Sequence, residues 1–124
     1  MTKDKPFAFR PEHHLRSGAD FRRVYERRRS VSDKWLIVYG CENERPYLRL
    51  GLSVSRKVGG AVHRNRLRRL YREAFRLGRA EMPAGIDLVL IPRIKEEPPL
   101  EELQRGLIRL VKQLARKLTV RIDA

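Results

Sequence analysis

The residues of this sequence best suited to chemistry are arginines, and the chemistry they suit is phosphate binding. Arg64-Asn65-Arg66 continues as Leu67-Arg68-Arg69-Leu70-Tyr71-Arg72-Glu73, with Arg76 beyond. A guanidinium offers a planar fork of N–H donors that grips phosphate oxygens in pairs and stacks on bases. The plain alternative is a solvated helix face. Such a face ordinarily interleaves acids with bases and gains weak i, i+4 pairs. Here Glu73 is the only acid, within reach of Arg69 or Arg76. Uncompensated like charges repel, so the segment asks for a polyanion. Just upstream, Arg56 and Lys57 lead into Gly59-Gly60. A helix beginning after two glycines has free N–H groups that suit an anion, although an ordinary strand-to-helix turn reads the same way.

Phe21, Tyr25 and Tyr39 lie close in sequence to basic residues. Rings beside cations suit unpaired nucleotides, each stacked base contributing about 1–3 kcal/mol. Taken on the residues alone, a place in the core is the favoured reading for all three. Protein-borne catalysis finds little support. His13 and His14 are adjacent and point apart on most backbones, which makes a poor chelate. Cys41 and His63 as nucleophile and base lack an orienting third group. There is no phosphate-cradling glycine loop, no dinucleotide fingerprint and no carboxylate cluster for two-metal hydrolysis. Asp87 stands in an apolar run with no acidic neighbour.

The charge distribution points the same way. The net charge is +14 over 124 residues. Residues 56–79 hold nine basic residues against one acid, and residues 1–30 hold nine against four. Arg outnumbers Lys by 22 to 7. A strong basic excess bears on partners rather than fold, and arginine clustering favours nucleic acid over an anionic membrane. A GC-rich genome would explain the Arg/Lys ratio but not the clustering. Hydrophobic residues at 41% suit a folded domain. No apolar run is long enough to span a membrane, and Met1 to Arg10 lacks the apolar stretch of a signal peptide. With one cysteine, Cys41, an internal disulfide is excluded and a cytoplasmic setting expected.

The elements that must position these residues follow from periodicity. Residues 1–16 are expected to be loosely ordered, with residues 1–124 as one domain. Ser17-Gly-Ala-Asp20 reads as a capping box opening a helix over about 18–28. Residues 35–39 and the alternating run 48–54 read as a β-hairpin across the polar turn 42–46, with a short extra strand near Ser30. The small residues Ser53 and Ser55 lie on the polar face of that run, as a groove floor would. A helix over about 61–78 carries Leu67, Leu70, Tyr71, Ala74 and Phe75 as its apolar stripe. Arg68, Arg69, Arg72 and Arg76 fall about opposite, and Gly78 is its natural stop. Residues 86–91 read as a central strand covered on both faces. Pro98-Pro99 opens a last helix with Glu101 and Glu102 in its first turn and Arg116 and Lys117 in its last, and an apolar stripe of Leu100, Leu103, Leu107, Leu110, Val111, Leu114 and Leu118. The class is α+β: one small sheet with helices packed on it.

Gly51-Leu-Ser-Val-Ser-Arg-Lys-Val-Gly59, Ala61-Val-His-Arg-Asn-Arg-Leu-Arg-Arg69 and Arg72-Glu-Ala-Phe-Arg76 together resemble the protein subunit of bacterial ribonuclease P. Asp20-Phe-Arg-Arg-Val-Tyr25 is similar to that family's first helix, and residues 85–93 to its strand after the Arg-Asn-Arg helix. The resemblance spans about residues 15–118. Gly60 departs from the Lys or Asn often found there. The resemblance implies a two-layer α/β sandwich with a mixed sheet of about four strands and a left-handed β-α-β crossover, ribosomal protein S5 domain 2-like. General rules would have favoured a right-handed one.

It further implies an accessory subunit of an enzyme whose catalyst is a large RNA, which removes the 5′ leader of precursor tRNA using Mg²⁺ held mainly by RNA. Arg56, Lys57, Arg64, Asn65, Arg66, Arg68, Arg69, Arg72 and Arg76 would face the catalytic RNA. Phe21, Tyr25, Tyr39, Ser53 and Ser55 would line a cleft for the single-stranded leader, which reverses the core reading of the three rings. The protein alone is expected to be monomeric, with no side chain acting as catalyst and none binding metal. Two other readings predict different behaviour. A ribosomal or DNA-binding module would prefer another nucleic acid, and a nuclease acting alone would cleave without an RNA partner.

Overall fold

The nearly all-apolar run at residues 86–91 demands cover on both faces, and the computed structural model, which describes residues 11–118, gives it that cover. Strand β4 (Ile86–Pro92) is one of two inner strands of a four-stranded sheet, and Ile86 to Leu90 are fully buried. Strand β2 (Leu36–Glu42) pairs with it antiparallel along its length. Strand β3 (Arg49–Leu52) pairs with it parallel on the other edge. Strand β1 (Ser30–Ser32) continues the sheet beyond β2, giving the order β1-β2-β4-β3.

The expected hairpin of residues 35–39 with 48–54 is therefore not formed: β4 lies between the two strands. Alternation reports which face of a strand is buried but not which edge it offers. Inserting β4 between the two pairs both its edges and buries both its faces, which a position outside a hairpin would not.

Helix α2 (Ala61–Gly78) crosses from β3 to its parallel neighbour β4 and packs with helix α3 (Leu100–Lys117) on one face of the sheet. Leu67, Tyr71 and Phe75 of α2 meet Leu103, Leu107 and Leu114 of α3 above Val38, Leu88 and Leu90. Gly40 permits this closeness, since a Cβ there would stand 2.4 Å from Leu114 Cδ2. Helix α1 (Gly18–Glu26) lies alone on the opposite face, with Val24 against Cys41 and Val89. The two sides differ in apolar support: 21 buried residues form the α2/α3 core and four the α1 core. Burial of a large side chain stabilises by about 1.5–3 kcal/mol, so α1 is held more weakly by apolar packing.

Local chemistry sets the element ends. Ser17 Oγ accepts from the Asp20 N–H at 3.1 Å, as the capping box requires. Asp20 does not close the box; its carboxylate lies 3.7 Å from Arg49. Helix α1 stops at Glu26, two residues before the expected end, and Arg28 takes the left-handed φ of 56°. Helix α2 matches its expected bounds, but Gly78 is right-handed (φ −95°) and the chain runs on as a 3-10 turn, Arg79–Glu81. Gly78 serves packing instead, since a Cβ there would sit 3.0 Å from Ile108. Pro99 caps α3 from outside rather than occupying its first turn.

Residues 1–10 lie outside the described residues. The loose order expected through residue 16 does not hold for 11–16. His14 bridges to Leu50, the Leu15 N–H donates to the Leu50 carbonyl at 2.9 Å, and Leu15 is buried against the sheet.

Candidate nucleic-acid interface

Helix α2 turns Leu67, Tyr71, Ala74, Phe75 and Gly78 into the core and leaves Asn65, Arg66, Arg69 and Arg72 exposed. Tyr71 anchors it: burial pushes its phenol well above the ordinary range, and its OH donates to the Trp35 carbonyl at 3.3 Å. The guanidiniums on the outer side have unequal freedom. Arg64 Nε donates back to the Gly59 carbonyl at 3.2 Å. Arg66 reaches Glu97 at 3.3 Å. Arg76 grips Glu73 through Nε and Nη2 at 3.0 and 2.7 Å, so the lone acid of the run pairs with Arg76 and not Arg69. Arg68 donates to Asn65 Oδ1 at 2.8 Å. Among the described residues Arg68, Arg69 and Arg72 have no carboxylate partner.

Arg56 and Lys57 are exposed on a 3-10 turn, Arg56–Val58. Ser55 is exposed and caps that turn, its Oγ accepting from the Lys57 N–H at 2.9 Å. Helix α2 then starts after Gly60 with no side-chain cap.

The aromatic candidates come together on the opposite face of the sheet. Register places Tyr39, Val89 and Gly51 in one row across β2, β4 and β3. The Phe21 ring from α1 lies directly on Gly51: a Cβ there would stand 2.6 Å from Phe21 Cζ. Tyr25 meets Tyr39 edge to face, with centroids 5.1 Å apart and planes at 85°. All three rings are half-buried at the rim of the small α1 core, so they satisfy the core reading on one side and open to solvent on the other. Ser53, half-buried, follows Gly51 on this face two residues on, with its N–H bonded to the Leu90 carbonyl.

One recess joins the two surfaces. A cavity of about 140 Å³ is lined by Phe21 and Gly51 from the aromatic row, by Arg68 and Arg72 from α2, and by His14 between them. Burial lowers the His14 imidazole from its ordinary value, and Arg16 and Arg72 push it the same way.

Sequence reasoning missed Asp87. It is fully buried, and its Oδ1 accepts from Arg49 Nε at 2.8 Å and Asn43 Nδ2 at 2.9 Å. Its Oδ2 accepts from Arg49 Nη2 at 2.7 Å and from Arg23 of α1. Burial raises this carboxyl, but hydrogen bonds from Arg49, Asn43 and Arg23 outweigh it and hold the group below the ordinary range. The carboxylate thus ties α1 to β3 and β4 where apolar packing is thin. A lone Asp in an apolar strand was the one available signal; its partners lie 38, 44 and 64 residues away.

The residues weighed for other chemistry do not assemble. Cys41 is buried under α1, where burial pushes its thiol up. His63 sits at the start of α2 against the Lys95 carbonyl, at 2.6 Å. Among the described residues no three of His, Cys, Asp and Glu converge as a metal site would need. No described helix is long and apolar enough to cross a membrane.

The model of the ribonuclease P family matches residues 9–115. The ribonuclease P protein component of Clostridioides difficile strain 630 is 40% identical over 101 residues, covering 80% of this chain and 89% of that protein. Its counterpart from Clostridium botulinum strain Langeland is 41% identical over 104 residues, covering 82% and 94%. Among solved structures, the ribonuclease P protein of Thermotoga maritima superposes with a TM-score of 0.74 at 34% identity, covering 81% of this chain and 96% of that one. The Staphylococcus aureus protein gives 0.70 at 33%, covering 82% and 94%.

Proposed function

This chain belongs to the ribonuclease P protein family, and from that premise we propose how its two surfaces serve removal of the tRNA 5′ leader. The family places it in tRNA processing as the protein component that works with an RNA subunit. In our reading the RNA subunit is the catalyst, and Mg²⁺ is held mainly by RNA phosphates. The outer face of α2, with Arg56, Lys57, Arg64, Asn65, Arg66, Arg68, Arg69, Arg72 and Arg76, binds the catalytic RNA near its active centre. Phe21, Tyr25 and Tyr39, with Ser53 and Ser55, receive the unpaired leader of precursor tRNA. The reaction takes place in the cytoplasm.

The observation that carries this reading is the recess shared by Arg68, Arg72, Phe21 and Gly51. It makes one continuous path from guanidiniums without carboxylate partners to half-buried rings. Phosphates meet the cations and bases meet the rings. Binding the leader adds substrate affinity, and cations beside two polyanions reduce their mutual repulsion, so less Mg²⁺ is required.

The test is cleavage of a leader-bearing tRNA precursor at low Mg²⁺ by bacterial ribonuclease P RNA alone, by this protein alone and by both. Cleavage at the mature 5′ end only in the mixture is the expected result. Cleavage by the protein alone would move the chemistry onto its side chains and overturn the assignment.

A further inference from the structure

The basic residues that close α1 differ from one another. Arg27 is held by Glu42 through two hydrogen bonds of 3.0 and 3.1 Å. Arg28 and Arg29 have no carboxylate partner among the described residues. They border, with Ser30 and Lys117, an open recess of about 380 Å³ that no acidic residue lines among the described residues. Lys117 comes from the last turn of α3, and its Nζ donates to the Ser30 carbonyl at 3.2 Å, which fixes the ammonium there. Arg28 holds a left-handed backbone, φ 56°, at the turn from α1 into β1, a conformation unfavourable for arginine and easy for glycine.

Helix dipoles account for only part of this charge. Two helix C-termini meet here, α1 and α3, and each presents about half a negative elementary charge. Three full positive charges face them, so roughly two remain uncompensated. Among the described residues no carboxylate lines the recess to compete with an anion for these cations.

Its position gives the recess a meaning. Ser30 pairs with Tyr39 across β1 and β2, and Tyr39 packs on Tyr25. The recess therefore opens one residue pair beyond the aromatic row, at the end away from Phe21 and the α2 arginines. Cations flank the rings at both ends.

We propose that Arg28, Arg29 and Lys117 form a phosphate site for single-stranded RNA, taking the backbone of the leader nucleotides farthest from the cleavage point. The proposal rests on the reading that the leader lies along Phe21, Tyr25 and Tyr39 with its cleavage end toward α2. Guanidinium forks and an ammonium suit phosphodiester oxygens, and the site reads charge rather than base identity.

The test measures holoenzyme affinity for precursor tRNAs whose leaders grow one nucleotide at a time, beginning from mature tRNA. It compares the wild type, the triple variant Arg28→Asn, Arg29→Gln, Lys117→Gln, and the charge-keeping double variant Arg28→Lys, Arg29→Lys. Asparagine is chosen at 28 because it tolerates the left-handed backbone, and thermal melts verify folding. Mature tRNA and the shortest leaders should bind wild type and triple variant alike. Once the leader passes Tyr25 and Tyr39, the wild type gains affinity and the triple variant does not, opening a gap on the order of tenfold. The salt slope of the triple variant falls by about 0.7 for each leader phosphate it no longer neutralises. The lysine variant retains most of the gain.

An equal gap at every length, mature tRNA included, would assign these cations to diffuse attraction or to the catalytic RNA and overturn the proposal. So would the absence of a gap at any length. Tyr25→Ala in the same series separates the two levels. If it abolishes leader-dependent affinity while the triple variant does nothing, the recess alone is wrong; if neither matters, the leader reading beneath it falls too.

Discussion

Asp87 has no exposure to solvent, and donors from three elements or loops surround it: Arg23 on α1, Arg49 on β3 and Asn43 after β2. Removing one partner of a buried pair costs about 3–5 kcal/mol, mostly because the other charge stays behind. Arg49, with its side chain 12% exposed, would be that remainder. Asp87→Asn is expected to destabilise by about 3 kcal/mol in urea melts. It should also weaken precursor tRNA more than mature tRNA, because Arg23 tethers the helix that bears Phe21 and Tyr25. The pH dependence follows from the depressed carboxyl. Its contribution is present above the unfolded pKa of about 3.9 and is lost as pH falls through the lower folded value. Acid unfolding below about pH 4 should therefore be shallower in Asp87→Asn than in the wild type. A second residue-scale prediction concerns Phe21. Either Phe21→Ala or Gly51→Ala, whose Cβ would strike the ring, should weaken leader-bearing tRNA more than mature tRNA in equilibrium binding. Equal losses would mean that the ring is only core.

Helix α2 carries two functions on one rod. Its inward stripe buries Leu67, Tyr71 and Phe75, while its outward row leaves Arg68, Arg69 and Arg72 without a carboxylate partner among the described residues. Arg64, Arg66 and Arg76 are already engaged by Gly59, Glu97 and Glu73. The three without a carboxylate partner among the described residues, of which Arg68 donates only to Asn65, are the ones to change. Arg68→Ala, Arg69→Ala and Arg72→Ala together should weaken assembly with the catalytic RNA by about tenfold or more and flatten its salt dependence by about 2 in slope. The circular-dichroism melt should stay unchanged or rise slightly, since like charges three and four residues apart cost about 0.2–0.5 kcal/mol per pair. Unaltered RNA affinity with an intact melt would remove this face from the interface.

For the whole molecule, a net charge of +14 makes the free protein self-repelling and the complex salt-sensitive, with opposite consequences. Raising salt should raise the melting temperature of the free protein by screening that repulsion. The same change should weaken its complex with RNA, because releasing counterions into concentrated salt gains less. A melting temperature that falls with salt in the free protein would show that ion pairs such as Arg27–Glu42 outweigh the repulsion.

Much of this was legible in order. The bounds of α2 and the buried run of β4 follow from the spacing of apolar residues, which is local and repeats along the chain. The arginine row opposite Leu67 and Tyr71 is equally local, since a helix converts spacing directly into faces. What the tertiary structure decided is everything that depends on which edge meets which. Alternation in residues 48–54 shows a half-buried strand but cannot say that β4 separates it from β2. For the same reason it cannot bring Arg49 and Arg23 onto Asp87, lay Phe21 on Gly51, or set Lys117 beside Ser30. Side-chain periodicity carries information about faces; strand order and long-range ion pairs arise only when distant segments compete for the same buried neighbours.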